Sequence, residues 1–266
     1  MSDPAAGQRD LLLCADIGNA HTVLGLVRDG AVPHHWRVAT DERRTADEWF
    51  ALFNALVPRE LVDRIRGIAV CSTVPGVLHE WRDMMPRHLA GLPAVVVGPG
   101  VRTGVPVLMD NPREVGADRV MNALAAATIY GGPAIVVDFG TGTTFDVVSA
   151  RGEYVGGAIA PGMDISLEAL GRRGAQLRKI EVLKPRSVIA KNTVEALQSG
   201  MVYGFAGQVD GLVGRMIAEL GLPADDVKVI ATGSVVPIVV EECASFTHHD
   251  PWLTLLGLAL VFERNA

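Results

Sequence analysis

Two stretches of this chain carry the same design, and the repetition restricts the folds open to it. Leu11-Leu12-Leu13-Cys14-Ala15-Asp16-Ile17-Gly18-Asn19-Ala20-His21-Thr22-Val23-Leu24-Gly25-Leu26-Val27 is an apolar run ending in Asp-x-Gly, then small polar residues, then a second apolar run. Ile135-Val136-Val137-Asp138-Phe139-Gly140-Thr141-Gly142-Thr143-Thr144-Phe145-Asp146-Val147-Val148 repeats it. Each reads as a buried strand, a glycine turn and a returning strand. Glycine lets backbone N–H groups come close to a ligand, and Thr hydroxyls and the Asn amide add donors suited to phosphate oxygens. A carboxylate beside such a loop repels phosphate unless a cation lies between them, so Asp16 and Asp138 point to a metal-nucleotide site. Ordinary hairpins use the same turn formers, and for either stretch alone that reading stands level. Occurring twice, the pattern favours a phosphate-binding hairpin. Neither stretch is a Gly-x-x-x-x-Gly-Lys-Ser/Thr loop, and Gly140-x-Gly142 lacks the third glycine of a dinucleotide fingerprint.

A duplicated motif in a chain of 266 residues favours two related halves, divided here as 1–112 and 113–266. Hydrophobic residues make up 49%, yet no apolar run approaches the roughly 20 residues that span a bilayer, so the excess belongs to buried sheet and helix. No membrane partner is expected. Met1–Asp10 is a poor secretory signal, and a cytoplasmic location follows as an expectation. Cys14, Cys71 and Cys243 lack metal-type spacing and read as reduced, mostly buried small residues. A net charge of −6 argues against a nucleic-acid partner. The basic residues Arg172-Arg173 and Arg178-Lys179 are equally a solvated face and receive no function.

Periodicity fills in the rest. Val32–Ala39 reads as a third strand, and Thr45-Ala46-Asp47-Glu48 as a capping box opening a helix to Leu56. Gly67–Ser72 and Ala94–Val97 read as strands around a helix from Pro75 to about Leu89, and Gly98–Pro112 as a crossing segment. A helix over Asp118–Tyr130 precedes the second hairpin, whose third strand is Tyr154–Ala160. Asn192-Thr193-Val194-Glu195 caps a long helix to about Leu220, with Val194, Leu197, Met201, Phe205, Val209 and Leu212 on its apolar face. Val227–Ala231 reads as a late strand, and Asp250-Pro251 as the start of a final helix. The fold class is α/β, with mixed sheets and flanking helices.

With both Asp-x-Gly loops, Gly116-Ala117-Asp118-Arg119, Lys191-Asn192-Thr193, Gly156-Gly157-Ala158-Ile159-Ala160-Pro161-Gly162 and Asp250-Pro251-Trp252-Leu253-Thr254, the chain resembles the type III pantothenate kinases from about Leu12 to Asn265. That family has the acetate and sugar kinase, chaperone and actin superfold, whose two ribonuclease-H-like halves each contribute a phosphate hairpin. The resemblance implies transfer of the γ-phosphoryl of ATP to the hydroxyl of pantothenate, the first step toward coenzyme A. It implies an ATP phosphate site at Asp16, Ile17, Gly18, Asn19, Ala20, His21, Thr22 and Val23, with Thr141 also touching ATP. Asp138 matches a position that holds a potassium or ammonium ion, and Mg²⁺ accompanies the nucleotide. Gly116, Ala117, Asp118 and Arg119 match the pantothenate site, with Asp118 as proton acceptor. Thr193 matches a contact supplied by the neighbouring subunit, which implies a homodimer.

The chemistry agrees with these assignments. Phosphoryl transfer needs positioning and charge neutralisation more than covalent help. A carboxylate is a weak base for an alcohol, so Asp118 orients the hydroxyl and takes its proton late. Arg119 offers a fixed fork of donors for a carboxylate or phosphate oxygen. Structural roles compete: Asp118 and Arg119 as a helix start, Thr193 as a cap, His21 as a core or surface residue, Lys191 as a solvated lysine, Asp146 as a cross-strand partner. Ala20, Gly142, Met109, Ala190 and Ser234 depart from the family's usual residues, touching affinity and nucleotide fit rather than any carboxylate. The alternatives are a non-catalytic or regulatory paralogue, or a kinase of the same superfold acting on another small substrate.

Overall fold

β1 (Leu11–Ile17), β2 (His21–Arg28) and β3 (Ala31–Ala39) form an antiparallel meander, and β4 (Ile65–Ser72) and β5 (Ala94–Val96) extend it in parallel to give the order β3-β2-β1-β4-β5. These come from a computed structural model that describes residues 9–173, 180–233 and 236–266. Arg178-Lys179 and Ser234 lie outside the described residues, as does most of the Met1–Asp10 segment. α1 (Ala46–Leu56) opens with the expected capping box: Thr45 Oγ1 accepts from Glu48 N, and Glu48 Oε2 accepts from Thr45 N at 2.8 Å. The short α2 (Arg59–Val62) follows, and α3 (Pro75–His88) starts on its proline. Leu13, Ala15, Ile17, Leu24, Ile68 and Val70 on one sheet face bury Trp49, Phe53, Val77 and Trp81 of α1 and α3.

The second hairpin repeats the scheme. β6 (Ala134–Phe139), β7 (Gly142–Val148) and β8 (Tyr154–Pro161) form an antiparallel meander, and β9 (Lys228–Gly233) and β10 (His248–His249) join in parallel, in the order β10-β9-β6-β7-β8. Read from the first strand of each meander, the two orders are the same. The duplication therefore covers whole sheets as well as loops. One face of this second sheet packs on α6 (Thr193–Leu220), with α5 (Met163–Arg173) before it and α7 (Val236–Val240) after it.

The chain divides into two compact units. One comprises residues up to Gly104, Arg113–Ala125 and Leu253–Ala266; the other comprises Val105–Pro112 and Ala126–Trp252. A single cut after residue 112 does not reproduce this division. α4 (Ala117–Ala125) buries Val120, Met121 and Leu124, and it packs on α8 (Leu253–Asn265), which lies on the first sheet. The absence of a side chain at Gly67 makes room there for the Phe262 ring. Residues 105–112 instead join the second unit, where Tyr154 N donates to Pro106 O at 2.9 Å and Leu108 N donates to Tyr154 O at 2.8 Å.

Some elements differ from the sequence reading. The helix expected over Asp118–Tyr130 is α-helical only through Ala125, and Ala126–Tyr130 is a π-helical turn. The final helix starts at Leu253, because Asp250 Oδ1 accepts from Trp252 N at 3.0 Å and keeps residues 250–252 in a turn. Along α6, Val194 is exposed while Gln198, Val202, Ala206 and Val213 are buried, since a stripe of 3.6-residue period drifts around so long a helix.

Candidate active site

Asp16 is the penultimate residue of β1, half-buried, with Asn19 and Ala20 exposed in the turn beyond it. The turn is held from inside: Gly18 N donates to His21 O at 3.0 Å, and Thr40 Oγ1 donates to Gly18 O at 2.7 Å. The buried Thr22 lies 2.9 Å, hydroxyl to hydroxyl, from Thr40. His21 is half-buried, its Nε2 3.1 Å from an Arg37 guanidinium nitrogen. Within Asp16–Val23, Ile17 and Thr22 are buried, Asp16, Gly18, His21 and Val23 are half-buried, and Asn19 and Ala20 are exposed. Ala20 offers no hydroxyl, and Thr22 and Thr40 are engaged in bracing the loop.

In the same unit, α4 begins beside Gly116. Asp118 Oδ1 accepts from Arg119 N at 2.9 Å, and a side chain at Gly116 would collide with that same oxygen. The glycine is thus what allows the carboxylate to fold back over the start of the helix. Burial raises the Asp118 pKa above the usual carboxylate range, partly offset by the Arg119 N–H and by the Arg119 charge. Gly116, Ala117 and Arg119 are half-buried around it. The helix-start reading and the site reading of Asp118 are therefore compatible. Gly116→Ala is expected to displace the carboxylate, lowering kcat while leaving the melting temperature nearly unchanged; parallel kinetics and thermal unfolding check this.

Asp16 has a neighbour to which the sequence assigned no site role. Cys71 on β4 is paired directly with Asp16 in the parallel β1–β4 register, and its Sγ donates to Asp16 Oδ1 at 3.3 Å. Burial, and after it the charges of Asp16 and Asp118, push this thiol well above its ordinary pKa. The first unit thus gathers the Asp16 loop, Cys71 and the Gly116–Arg119 turn. The sequence signal for Cys71 is that it lies at the end of an apolar run, as Asp16 does.

The second unit holds Asp138, Thr141 and Thr193. Asp138 is the penultimate residue of β6, flanked in register by Thr144 and Thr232 on neighbouring strands. Gly233 closes β9 at φ +95°, and a Cβ there would sit 2.6 Å from Asp138 Oδ1 and 2.5 Å from Phe139 O. Asp138 thus sits at the mouth of the hairpin between two threonine-bearing strand positions, with the Gly233 backbone passing close to its carboxylate. Thr141 is half-buried in the turn, and Thr141 O accepts from Gly162 N at 3.0 Å. Two residues along the same sheet face, the fully buried Asp146 accepts from Tyr154 Oη at 2.9 Å and from Thr144 Oγ1 at 3.1 Å. Asp146 is therefore the cross-strand partner that the sequence allowed.

Thr193 is exposed at the first turn of α6. Asn192 is the cap: its Oδ1 accepts from Glu195 N at 2.9 Å, which leaves Thr193 without a capping role. The described residues record no contact between Thr193 and Asp138. Along the same face of α6, Gly200, Gly204, Gly207, Gly211 and Gly214 are all exposed with open space around them. Thr193 continues that series by one heptad.

The chain matches the family described as type III pantothenate kinase over residues 12–215. It is 71% identical over 256 residues to a type III pantothenate kinase of Nocardioides sp. strain JS614, covering 96% of this chain and 99% of that protein. It is 62% identical over 261 residues to one from Streptomyces griseus, covering 96% and 98%. Among solved structures, the ROK hexokinase of Thermus thermophilus aligns with a TM-score of 0.52 at 15% identity, covering 94% of this chain and 97% of that one. At that identity the likeness shows the fold alone, and the fold is that of the sugar kinases and their actin-like relatives.

Proposed function

Because the chain belongs to the type III pantothenate kinase family, we propose that Asp118 is the group that orients the pantothenate hydroxyl and accepts its proton. The protein is a kinase that phosphorylates pantothenate to 4'-phosphopantothenate at the expense of ATP, the entry to coenzyme A biosynthesis. The observation that carries the Asp118 role is its placement: a half-buried carboxylate of raised pKa, folded over Gly116 and within electrostatic reach of the thiol that bonds Asp16. A base of higher pKa than an ordinary Asp is better matched to an alcohol proton. Gly116, Ala117 and Arg119 complete the pantothenate site in this reading, with Arg119 as the candidate donor to an anionic oxygen.

The Asp16–Val23 turn is read as the ATP phosphate loop. Among the described residues no cluster of three His, Cys, Asp or Glu could hold a metal ion by itself. That suits Mg²⁺, which is usually held by one or two carboxylates together with substrate phosphates and water. Asp16 would hold it, and when bound the ion supplies charge neutralisation to the phosphoryl group. Asp138 would hold a potassium or ammonium ion, supported by its place at the mouth of the second hairpin beside the Gly233 backbone and in register with Thr144 and Thr232, with Thr141 facing the nucleotide. A shared site in a homodimer is supported by Thr193 lying in line with an open glycine stripe that permits close approach of a second helix. No described helix is long and apolar enough to cross a membrane, and a cytoplasmic enzyme is part of the same reading.

An ADP-release assay tests this directly. ADP formation should require pantothenate and Mg²⁺, and should fall strongly when potassium is replaced by sodium. Asp138→Ala should remove that potassium response. Equal rates in the two salts would sink the cation assignment, and turnover on sugars but not pantothenate would sink the Asp118 site.

A further inference from the structure

We propose that Cys71 is a positioning residue that holds the Asp16 carboxylate in place for phosphoryl transfer. The inference rests on the reading that Asp16 faces the ATP phosphates and their divalent cation. Within the parallel β1–β4 pair the register sets Cys71 beside Asp16, and the thiol donates to Asp16 Oδ1 at 3.3 Å. Cys71 is wholly enclosed, so its donor is shielded from competing water.

Packing alone does not account for a thiol here. Along this face of β4 the side chains are small, Gly67 and Ala69 preceding Cys71, because α8 lies close to the sheet and Phe262 occupies the space over Gly67. An alanine would continue that series. The sulfur differs from it in adding a hydrogen-bond donor without adding a charge, at the one position of the strand that faces a carboxylate in register. A second acceptor at that point would repel Asp16, and a fixed cation would compete with Mg²⁺ for it. Asp118 acts electrostatically on the same thiol, so a neutral group occupies the region influenced by both carboxylates.

The test compares wild type with Cys71→Ala, Cys71→Val, Cys71→Ser and Asp16→Asn, measuring kcat, the KM for ATP and for pantothenate, the Mg²⁺ concentration giving half the maximal rate and, without turnover, the Mg²⁺-dependent affinity for a non-hydrolysable ATP analogue by calorimetry. Loss of a group that orients a metal ligand typically costs about 10-fold or more in activity or metal affinity. Cys71→Ala and Cys71→Val should therefore lower kcat by about that factor, and raise the Mg²⁺ requirement. The KM for pantothenate should change little, and Cys71→Ser should recover most of the loss. If the alanine variant fails to fold by circular dichroism, the valine and serine variants carry the same comparison. Wild-type kcat and Mg²⁺ response in folded Cys71→Ala or Cys71→Val, alongside an impaired Asp16→Asn, would overturn the role of Cys71 and leave the site standing. So would equal losses in the alanine, valine and serine variants with an unchanged Mg²⁺ response, which mark a purely structural residue. An Asp16→Asn enzyme of normal rate and Mg²⁺ dependence would overturn the assignment of Asp16 itself.

Discussion

Asp118→Asn is expected to lower kcat by about 100-fold or more, the usual contribution of a positioned general base, with a melting temperature that is unchanged or higher. The stability half of this expectation follows from the sign of the pKa shift. Burial raises the folded-state pKa of Asp118 above its unfolded value. Between the two values the folded chain binds the proton and the unfolded chain does not, so the stability contributed by this group falls as pH rises through that window. At neutral pH the buried charge is a cost, which Asn relieves while keeping the shape. A residue that merely favours the helix N-terminus would behave oppositely, its loss costing about 0.3–1 kcal/mol. The same shift places the acid limb of the kcat profile above the ordinary Asp range, with activity rising as the carboxylate forms. Wild-type turnover by Asp118→Asn would remove Asp118 from the mechanism.

If the proposed homodimer forms through α6, Gly207→Leu should give a monomer and abolish most of the activity without harming the subunit's own fold. Five glycines recur on one face of α6 at alternating spacings of four and three residues, each with open space where a side chain would go. Each costs about 1 kcal/mol of helix stability relative to Ala, and nothing within the described subunit uses the room they leave. A close helix of a second copy would use it. Leucine at position 207 strengthens the isolated helix and blocks that approach, so light scattering should report a monomer with retained helicity. Because Thr193 lies on the same face, activity should fall with dissociation. Mixing inactive Asp118→Asn and Thr193→Ala subunits should then restore turnover if the site is shared. A fully active dimeric Gly207→Leu protein would place the interface elsewhere.

Much of this fold is legible in the chain because its signals are local. Apolar alternation ending in Asp-x-Gly marks both hairpins, and the Thr45–Glu48 and Asn192–Glu195 caps mark where two helices begin. Where local signals compete, element boundaries shift by a few residues. Asp250-Pro251 has the chemistry of a helix start, but the Asp250 side chain closes a turn on Trp252 first. The apolar pattern of residues 118–130 does not distinguish an α-helix from one that ends in a π turn at Ala126.

By itself, then, the sequence determined the duplicated hairpins and the fold class and, through the match at Gly116–Arg119, pointed to the residues proposed for the chemistry. These depend on side-chain periodicity and on turn and cap chemistry, which act over a few residues. Only the tertiary structure decided what stands next to Asp16, because the parallel pairing of β1 with β4 joins Asp16 to Cys71 across 55 positions of chain. It also decided that α4 and α8 belong with the first sheet although both follow residue 112, since each buries its apolar face there. Strand order and helix docking are long-range choices made by burial, and no local pattern encodes them.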